Sequence, residues 1–480
     1  MGLIFGALLA AQEPAARWTF DGEAGAPHTT VHGRAEYRES AVSGKALHLN
    51  GVDTFVEVRA AGPLDSSTFT FCGWIYLCEP AAQPIASRGW LLETSADGSL
   101  RFTAGGKSVQ TPPRSVFPGQ WVHVAAAVAG GRARLLLNGE SSGEGEVGST
   151  AGDGTPLLLG RQDKRLLRGL MDEVRWYDRA VSTDALVAAQ LDWYRPKRRT
   201  PFGAKFELAA GDTVALVGGA NLAAENDSAF LETLFHLGAA GAPVRLRNLA
   251  WEGDTVFEQR RDLNFGPWKR YLERAGANVV IVQFGQMESL KGEAGLAAFG
   301  EAYGRLLDEI SERTRRVVVL SPMPFEKTDP PLPDLSARNN DLQRYFVACQ
   351  EAASKRGFLF VDLSAPPGSR LTRNGVHLNA EGQGIVAREI ARQLGLPEAD
   401  LQATPAARLR DAVREKNRLW FDHWRPMNWA FLEGDRTEQP SSRDHADRKI
   451  RWFPVEMQDY LPLLRRQEER IDALLKEARK

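Results

Sequence analysis

Five short apolar runs decide the fold of the C-terminal part of this chain: residues 213–218 (TVALVG), 243–250 (PVRLRNLA), 277–285 (ANVVIVQFG), 315–321 (RRVVVLS) and 357–363 (GFLFVDL). Three of the four intervals between them carry helical patterns, at 231–237, 296–313 and 342–355. Near-continuous Val/Leu strands that alternate with helices predict a parallel sheet covered on both faces. The expected unit is a three-layer, flavodoxin-like α/β domain over 209–396. Chemistry in such sheets gathers beyond the carboxyl ends of the strands. Four segments fall there: 218–221 (GGAN), 248–255 (NLAWEGDT), 284–289 (FGQMES) and 371–378 (LTRNGVHL).

The region before it, 17–192, reads differently. Short runs such as KALHLNG, DTFVEVR, FTFCGWIYL, QWVHVAAAV and ARLLLNGE are separated by Gly, Asp, Ser and Pro, with no long helical pattern. Many short strands with turn signals predict an antiparallel β-sandwich. Asn138-Gly139 is a hairpin turn signal, because both residues tolerate positive φ. A basic, proline-bracketed stretch, 194–201 (YRPKRRTP), marks a linker over 193–208. Beyond Pro405 the chain turns helical and aromatic, and 397–480 is expected as a helical extension on the α/β domain. Its last run carries an apolar stripe at Leu464, Ile471, Leu474 and Leu475, which needs a partner surface.

Two resemblances follow from these motifs. Residues 69–77, 120–128, 135–139 (LLLNG) and 169–180 (GLMDEVRWYDRA) resemble the successive motifs of laminin-G-like, concanavalin A-like jelly rolls. That likeness implies a sandwich often used to bind carbohydrate, sometimes with calcium. Asp53 and Asp172 are the candidate calcium ligands, since calcium prefers clustered oxygens; the same aspartates also suit turn capping. Trp74 and Trp121 sit in apolar strands and suit core packing.

The four strand-end segments resemble the blocks of the SGNH/GDSL hydrolases. The resemblance implies a nucleophilic serine in the first block, glycine and asparagine oxyanion donors in the second and third, and an aspartate three residues before a histidine in the last. Gly253 and His377 agree with that pattern. Ala220 stands at the serine position, Met287 at the asparagine and Asn374 at the aspartate. The wording of 247–258, 284–299, 336–345 and 371–378 is similar to a divergent, planctomycete-type subgroup, which keeps Asn and Thr in the first block, Asn-Glu in the third, and Asn-Gly before the histidine. Against that subgroup Gly219, Ala220 and Met287 depart, whereas Glu288, Asn374 and His377 remain. Residues 416–432, followed by 441–449, resemble an appendage of the same subgroup.

Serine esterase chemistry needs an oxygen nucleophile, a base and a group that holds the base. Ala220 has no heteroatom, and Met287 donates no hydrogen bond. Asn374 can orient His377 but cannot stabilise an imidazolium as a carboxylate does. Ser228, eight residues past Ala220, is a poor substitute. An alternative without a covalent step lets Glu288 and His377 activate water, with Gly253 and strand-end amides binding the oxyanion. The proline-dense stretch 321–335 lies over the strand ends, where lids and inert crossovers both occur.

Composition narrows the remaining classes. At 480 residues two or three domains are expected. Lys+Arg 60 against Asp+Glu 61 leaves no basic field for nucleic acid. No apolar run reaches the ~18–20 residues that span a bilayer. Residues 1–16 include a signal-like apolar segment (MGLIFGALLAA) that lacks a positive start, so a secreted or periplasmic location is expected. The three cysteines do not make a disulfide framework. Cys72 and Cys78 lie on one strand face roughly 20 Å apart at ~3.3 Å per residue, too far to bridge. Two function classes stand: an exported esterase or deacetylase acting on polysaccharide, and a catalytically dead SGNH-like domain in a glycan-binding or scaffold protein. Neither calls for a cofactor; calcium in the jelly roll is the one candidate.

Overall fold

The computed structural model describes residues 13–190 and 201–478, apart from 23–26, 40–41, 60–61, 80, 151–153, 210, 240–242, 260–266, 428, 433–435, 437–442, 447 and 449–450. The apolar start of the signal-like segment and most of the basic linker lie outside these residues. Two compact units emerge, Met1–Tyr194 with Thr437–Pro462, and Arg195–Arg436 with Leu463–Lys480.

The first unit is an antiparallel sandwich of an eight-stranded and a seven-stranded sheet. At the centre of the larger sheet Phe69–Leu77 pairs on one side with Trp121–Ala129 and on the other with Arg168–Tyr177. All nine residues of Phe69–Leu77 are buried, and the period-2 alternation of a strand explains how. Phe69, Phe71, Ile75 and Leu77 face the core between the sheets, against Trp90, Phe102 and Trp176. The opposite face is covered as well. Cys72 meets Leu186 of the helix Thr183–Gln190, and Tyr76 meets Val455 of the helix Trp452–Glu456. Cys72 and Cys78 are both buried free thiols.

The second unit carries five parallel strands: β1 (Thr213–Gly218), β2 (Arg245–Asn248), β3 (Val279–Gln283), β4 (Val317–Leu320) and β5 (Leu359–Val361). Their order is β2-β1-β3-β4-β5, so the winding reverses between β1 and β3. That reversal opens a crevice at the carboxyl ends of those two strands. The principal helices are α1 (Phe230–Gly238), α2 (Leu296–Ser311), α3 (Asn339–Arg356), α4 (Ala380–Gln393), α5 (Thr404–Trp424) and α6 (Tyr460–Ala478). No helix among the described residues is long and apolar enough to cross a membrane.

Two expected boundaries move. The second half of the linker, 201–208, packs on the α/β core through Phe202 and Phe206, whose rings lie 5.1 Å apart. The extension expected as one appendage of the α/β domain divides, because Thr437–Pro462 groups with the sandwich. The physical reason is a landing site at Tyr76. Its hydroxyl donates to the Pro454 carbonyl at 3.1 Å and accepts from Gln458 Nε2 at 2.8 Å.

Candidate active site in the α/β unit

β1 and β3 approach so closely that a Cβ at Gly218 would lie 2.6 Å from the Gln283 carbonyl oxygen. Only glycine fits there, and the chain then turns sharply. Gly219 caps the short helix Ala220–Ala223, so Ala220 takes the first helical position at the end of β1. Two hollows meet at this residue. A cleft of about 670 Å³ is lined by Ala220, Gly253, Arg373, His377, Phe421 and Arg425 among others. A cavity of about 60 Å³ is lined by Ala220, Met287, Glu288 and His377 with neighbouring backbone. The structure therefore brings together Gly219, Ala220, Gly253, Glu288 and His377 around one strand-end crevice.

The 371–378 turn is built to present the imidazole. Thr372 bridges to Leu378, and the Arg373 N–H donates to the His377 carbonyl at 2.9 Å. Asn374 closes the turn from within. Its Oδ1 accepts the backbone N–H of His377 at 2.9 Å and of Val376 at 3.3 Å. Its Nδ2 lies 2.9 Å from His377 Nδ1. Desolvation pushes the His377 pKa below its usual value, and the Arg373 charge lowers it further, which favours the neutral ring.

Glu288 starts a short 3-10 helix, Glu288–Lys291, and is buried. One carboxylate oxygen accepts the Val256 N–H at 2.9 Å and the other the Gly285 N–H at 2.8 Å. Burial raises its pKa, and those N–H groups oppose the rise. Glu288 thus ties the loop after β3 to the loop after β2. Met287 beside it is half exposed and offers no donor. Gly253 adopts φ +87° in the second loop, a conformation that favours glycine. Ser228 gives its hydroxyl to Glu225 at 2.8 Å and does not line either hollow.

Two supports escaped the sequence reading. Asn221 donates from Nδ2 to the Val376 carbonyl at 3.2 Å and accepts the Leu378 N–H at 3.0 Å, and so clamps the residue after Ala220 onto the histidine turn. Its place in the GGAN block was the available signal. Glu326, in the proline-dense stretch, accepts the N–H groups of Leu371 and Thr372, each at 2.8 Å. Phe325 of the same stretch packs with Leu342 and Val376. That stretch is a brace under the turn, and no local pattern announced it.

Each candidate calcium ligand accepts hydrogen bonds from the protein. Asp53 Oδ1 accepts from Asn50 Nδ2 at 2.7 Å in an exposed turn. Asp172 is buried in a strand, where its Oδ2 accepts the Val42 and Ser43 N–H groups at 2.9 and 3.0 Å. Burial pushes the Asp172 pKa up to about 8. Among the described residues no group of three or more His, Cys, Asp or Glu side chains could hold a metal.

A 2-1-3-4-5 sheet with a glycine turn after β1 and an Asn-x-x-His turn on the rim frames the crevice. Residues 209–385 match the GDSL-like Lipase/Acylhydrolase family, and residues 50–186 match the Concanavalin A-like lectin/glucanases superfamily. The chain joins a concanavalin A-like domain to a GDSL-like domain. No curated protein sequence matches it. Among solved structures it is similar to an acetylxylan esterase from Geobacillus stearothermophilus, at 17% identity over 40% of this chain and 98% of that one, TM-score 0.33. It is also similar to domain 4 of an extracellular arabinanase from the same organism in complex with arabinotriose, at 20% identity over 37% and 98%, TM-score 0.31. A gut microbial diltiazem-metabolizing enzyme matches at 17% identity and TM-score 0.34 over 40% of this chain, which spans about half (49%) of that enzyme.

Proposed function

We propose that this protein acts outside the cytoplasm on polysaccharide, and that its GDSL-like domain holds an acyl-bearing glycan without forming an acyl-enzyme. The observation that carries this reading is Ala220: a methyl group stands at the first helical position after β1, on the lining of the cleft that His377 also lines. Removing the serine from a working triad costs about 10⁶ in turnover, and the loss of an oxyanion donor typically costs a further 10²–10³. The cleft itself persists, with room for a sugar ring and an exposed Phe421 on its lining for stacking. In this reading the sandwich tethers glycan, in keeping with its concanavalin A-like match.

The test pairs p-nitrophenyl acetate and acetylated xylan with a His377→Ala control. Equal background rates in both proteins, with acetylated xylan retained in a pull-down, are expected. Hydrolysis well above the control would overturn the reading.

A second reading, hydrolysis by an activated water, is favoured by one observation. Glu288 and His377 line the same cavity of about 60 Å³, larger than the ~10–15 Å³ one water needs. Burial also makes Glu288 a stronger base than an ordinary carboxylate. In that case a slow rate disappears in both His377→Ala and Glu288→Gln.

A further inference from the structure

We propose that His377 is held as its Nε2–H tautomer by Asn374, so that it works as a hydrogen-bond donor to a bound carboxyl oxygen and not as a base. The inference rests on the glycan-binding reading for its ligand, and on local geometry alone for its tautomer.

The orientation of the Asn374 amide decides the matter. Its Oδ1 receives two backbone N–H groups, from His377 at 2.9 Å and Val376 at 3.3 Å. Turning the amide end for end would set Nδ2 against those two donors and leave both unsatisfied, at a cost of about 1–3 kcal/mol for each buried group. Oδ1 therefore stays on the backbone, and the Nδ2 amide faces the ring, 2.9 Å from Nδ1. Oδ1 is farther from Nδ1, at 3.2 Å. A nitrogen that receives an N–H must present its lone pair, so Nδ1 is bare and the proton of the neutral ring sits on Nε2. An aspartate in the same place would do the reverse, because it could only accept from Nδ1. The exchange of one atom moves the imidazole lone pair away from the site where a nucleophile would stand.

Nε2 has no protein partner among the described residues, and the ring lines the cleft. Other donors share that lining. The Arg373 guanidinium lies on the same lining and forms no ion pair among the described residues. The Gly253 turn adds a further backbone group to the wall. Of the two carboxylates on the lining, Glu252 is bound to Arg425 at 2.9 Å and Asp227 is exposed. Such a wall suits a carboxyl oxygen, presented either by an acyl ester or by a uronate.

Imidazole-¹⁵N NMR of the full-length protein at pH 8, with His377 assigned through His377→Ala, reads the tautomer directly. Wild type is expected to show a protonated Nε2 and a bare Nδ1, whereas Asn374→Asp moves the proton to Nδ1. A protonated Nδ1 in wild type overturns the inference whatever the protein binds. Titration then follows the Nε2–H resonance with acetylated xylo-oligosaccharide in one arm and sodium glucuronate in the other. A saturable downfield shift with either ligand, weakened at least tenfold in Arg373→Ala, supports the donor role and identifies the source. An Nε2–H ring that responds to neither ligand overturns the donor role and, with it, the glycan-ester reading of the cleft.

Discussion

Two sides of the α/β unit treat polar side chains in opposite ways. Around the strand-end crevice, Ala220, Met287 and Asn374 hold the positions where the sequence resemblance implies serine, asparagine and aspartate, and each is open to solvent or part-buried. At the β2 edge, where α5 and α6 clasp the sheet, charges meet partners at short range. The Lys416 ammonium, fully buried, lies 2.8 Å from Glu232 and 3.0 Å from the Leu246 carbonyl. Arg247 meets Glu468 at 2.6 Å and Arg245 meets Asp472 at 2.7 Å, while Trp420 Nε1 donates to the Asn248 carbonyl at 3.0 Å. The difference lies in solvation. A buried charge without its partner carries the whole desolvation penalty, so the clasp cannot lose one residue at a time. A side chain open to solvent has no such constraint, and chemistry there can be replaced while the fold persists.

The largest effect should come from restoring the cleft. Ala220→Ser with Asn374→Asp and Met287→Asn supplies nucleophile, base orientation and oxyanion donor together. Turnover of p-nitrophenyl acetate should rise by several orders of magnitude, up to about 10⁶ if the frame is intact. The tautomer alone matters greatly: the aspartate-to-asparagine change in a serine protease triad costs about 10⁴. Stability should stay within about 0.5 kcal/mol of wild type, the usual range for solvent-facing substitutions. A gain in activity accompanied by a loss of more than 2 kcal/mol would break the comparison, because the cleft would then be under structural constraint too.

The clasp should answer in stability and not in binding. Lys416→Met leaves Glu232 buried beside His236 with its main counter-charge gone, at a cost of about 3–5 kcal/mol. The double variant Lys416→Met, Glu232→Leu should recover most of that loss. Urea denaturation measures both, and glycan pull-down should be unchanged in each folded variant. If the single variant unfolds below 1 kcal/mol of cost, the clasp is no more constrained than the cleft.

Much of this architecture could be read from residues close in sequence. The five strands declared themselves because a sheet covered on both faces demands unbroken apolar runs, and VVIVQ in β3 is nearly that. The sandwich followed from alternation, and the strand-end segments from the rule that places chemistry beyond parallel strands. What stayed hidden depends on contacts across long separations. Nothing near Val455 says that it will cover Tyr76 of the sandwich. Nothing in the proline-dense stretch says that the Glu326 carboxylate will carry the backbone of Leu371 and Thr372. Glu288 shows the same limit at the site. Its position was anticipated, but the commitment of both its oxygens to backbone N–H groups appears only in three dimensions.

Glu225 lies where the cleft helix meets the clasp, and it sharpens the contrast by violating it. Its carboxylate is buried and takes the Leu231 N–H at 2.9 Å and the Ser228 hydroxyl at 2.8 Å, with no ion-pair partner among the described residues. Desolvation pushes its pKa up to about 7. Between the ordinary value near 4.5 and about 7 the folded state holds more protons than the unfolded state, so stability falls as pH rises through that window. The loss is complete above about pH 7 and amounts to roughly 3 kcal/mol at most. Glu225→Gln should flatten the difference in urea midpoint between pH 5 and pH 8.5 relative to wild type. An unchanged slope in the variant would mean that Glu225 is ionised throughout, and that the clasp tolerates an unpaired charge.

Asn221 is the place where the cleft itself should prove structural, and the expected effect is the smallest of the set. Its side chain reaches across to the histidine turn with two hydrogen bonds, to the Val376 carbonyl and from the Leu378 N–H. Its main-chain carbonyl accepts from Gln383 of α4, a bond that truncation spares. Asn221→Ala therefore removes two bonds and leaves two backbone groups of the turn short of partners, at about 2 kcal/mol in all. Thermal unfolding should register this as a few degrees in the α/β transition. Glu326 still holds the start of the turn from the other side, so His377 should keep its tautomer while its Nε2–H resonance broadens. A variant as stable as wild type, with a sharp resonance, would show that the turn is self-supporting and that Asn221 merely follows it. The line between a cleft free to change and a clasp that is not would then run through the backbone alone.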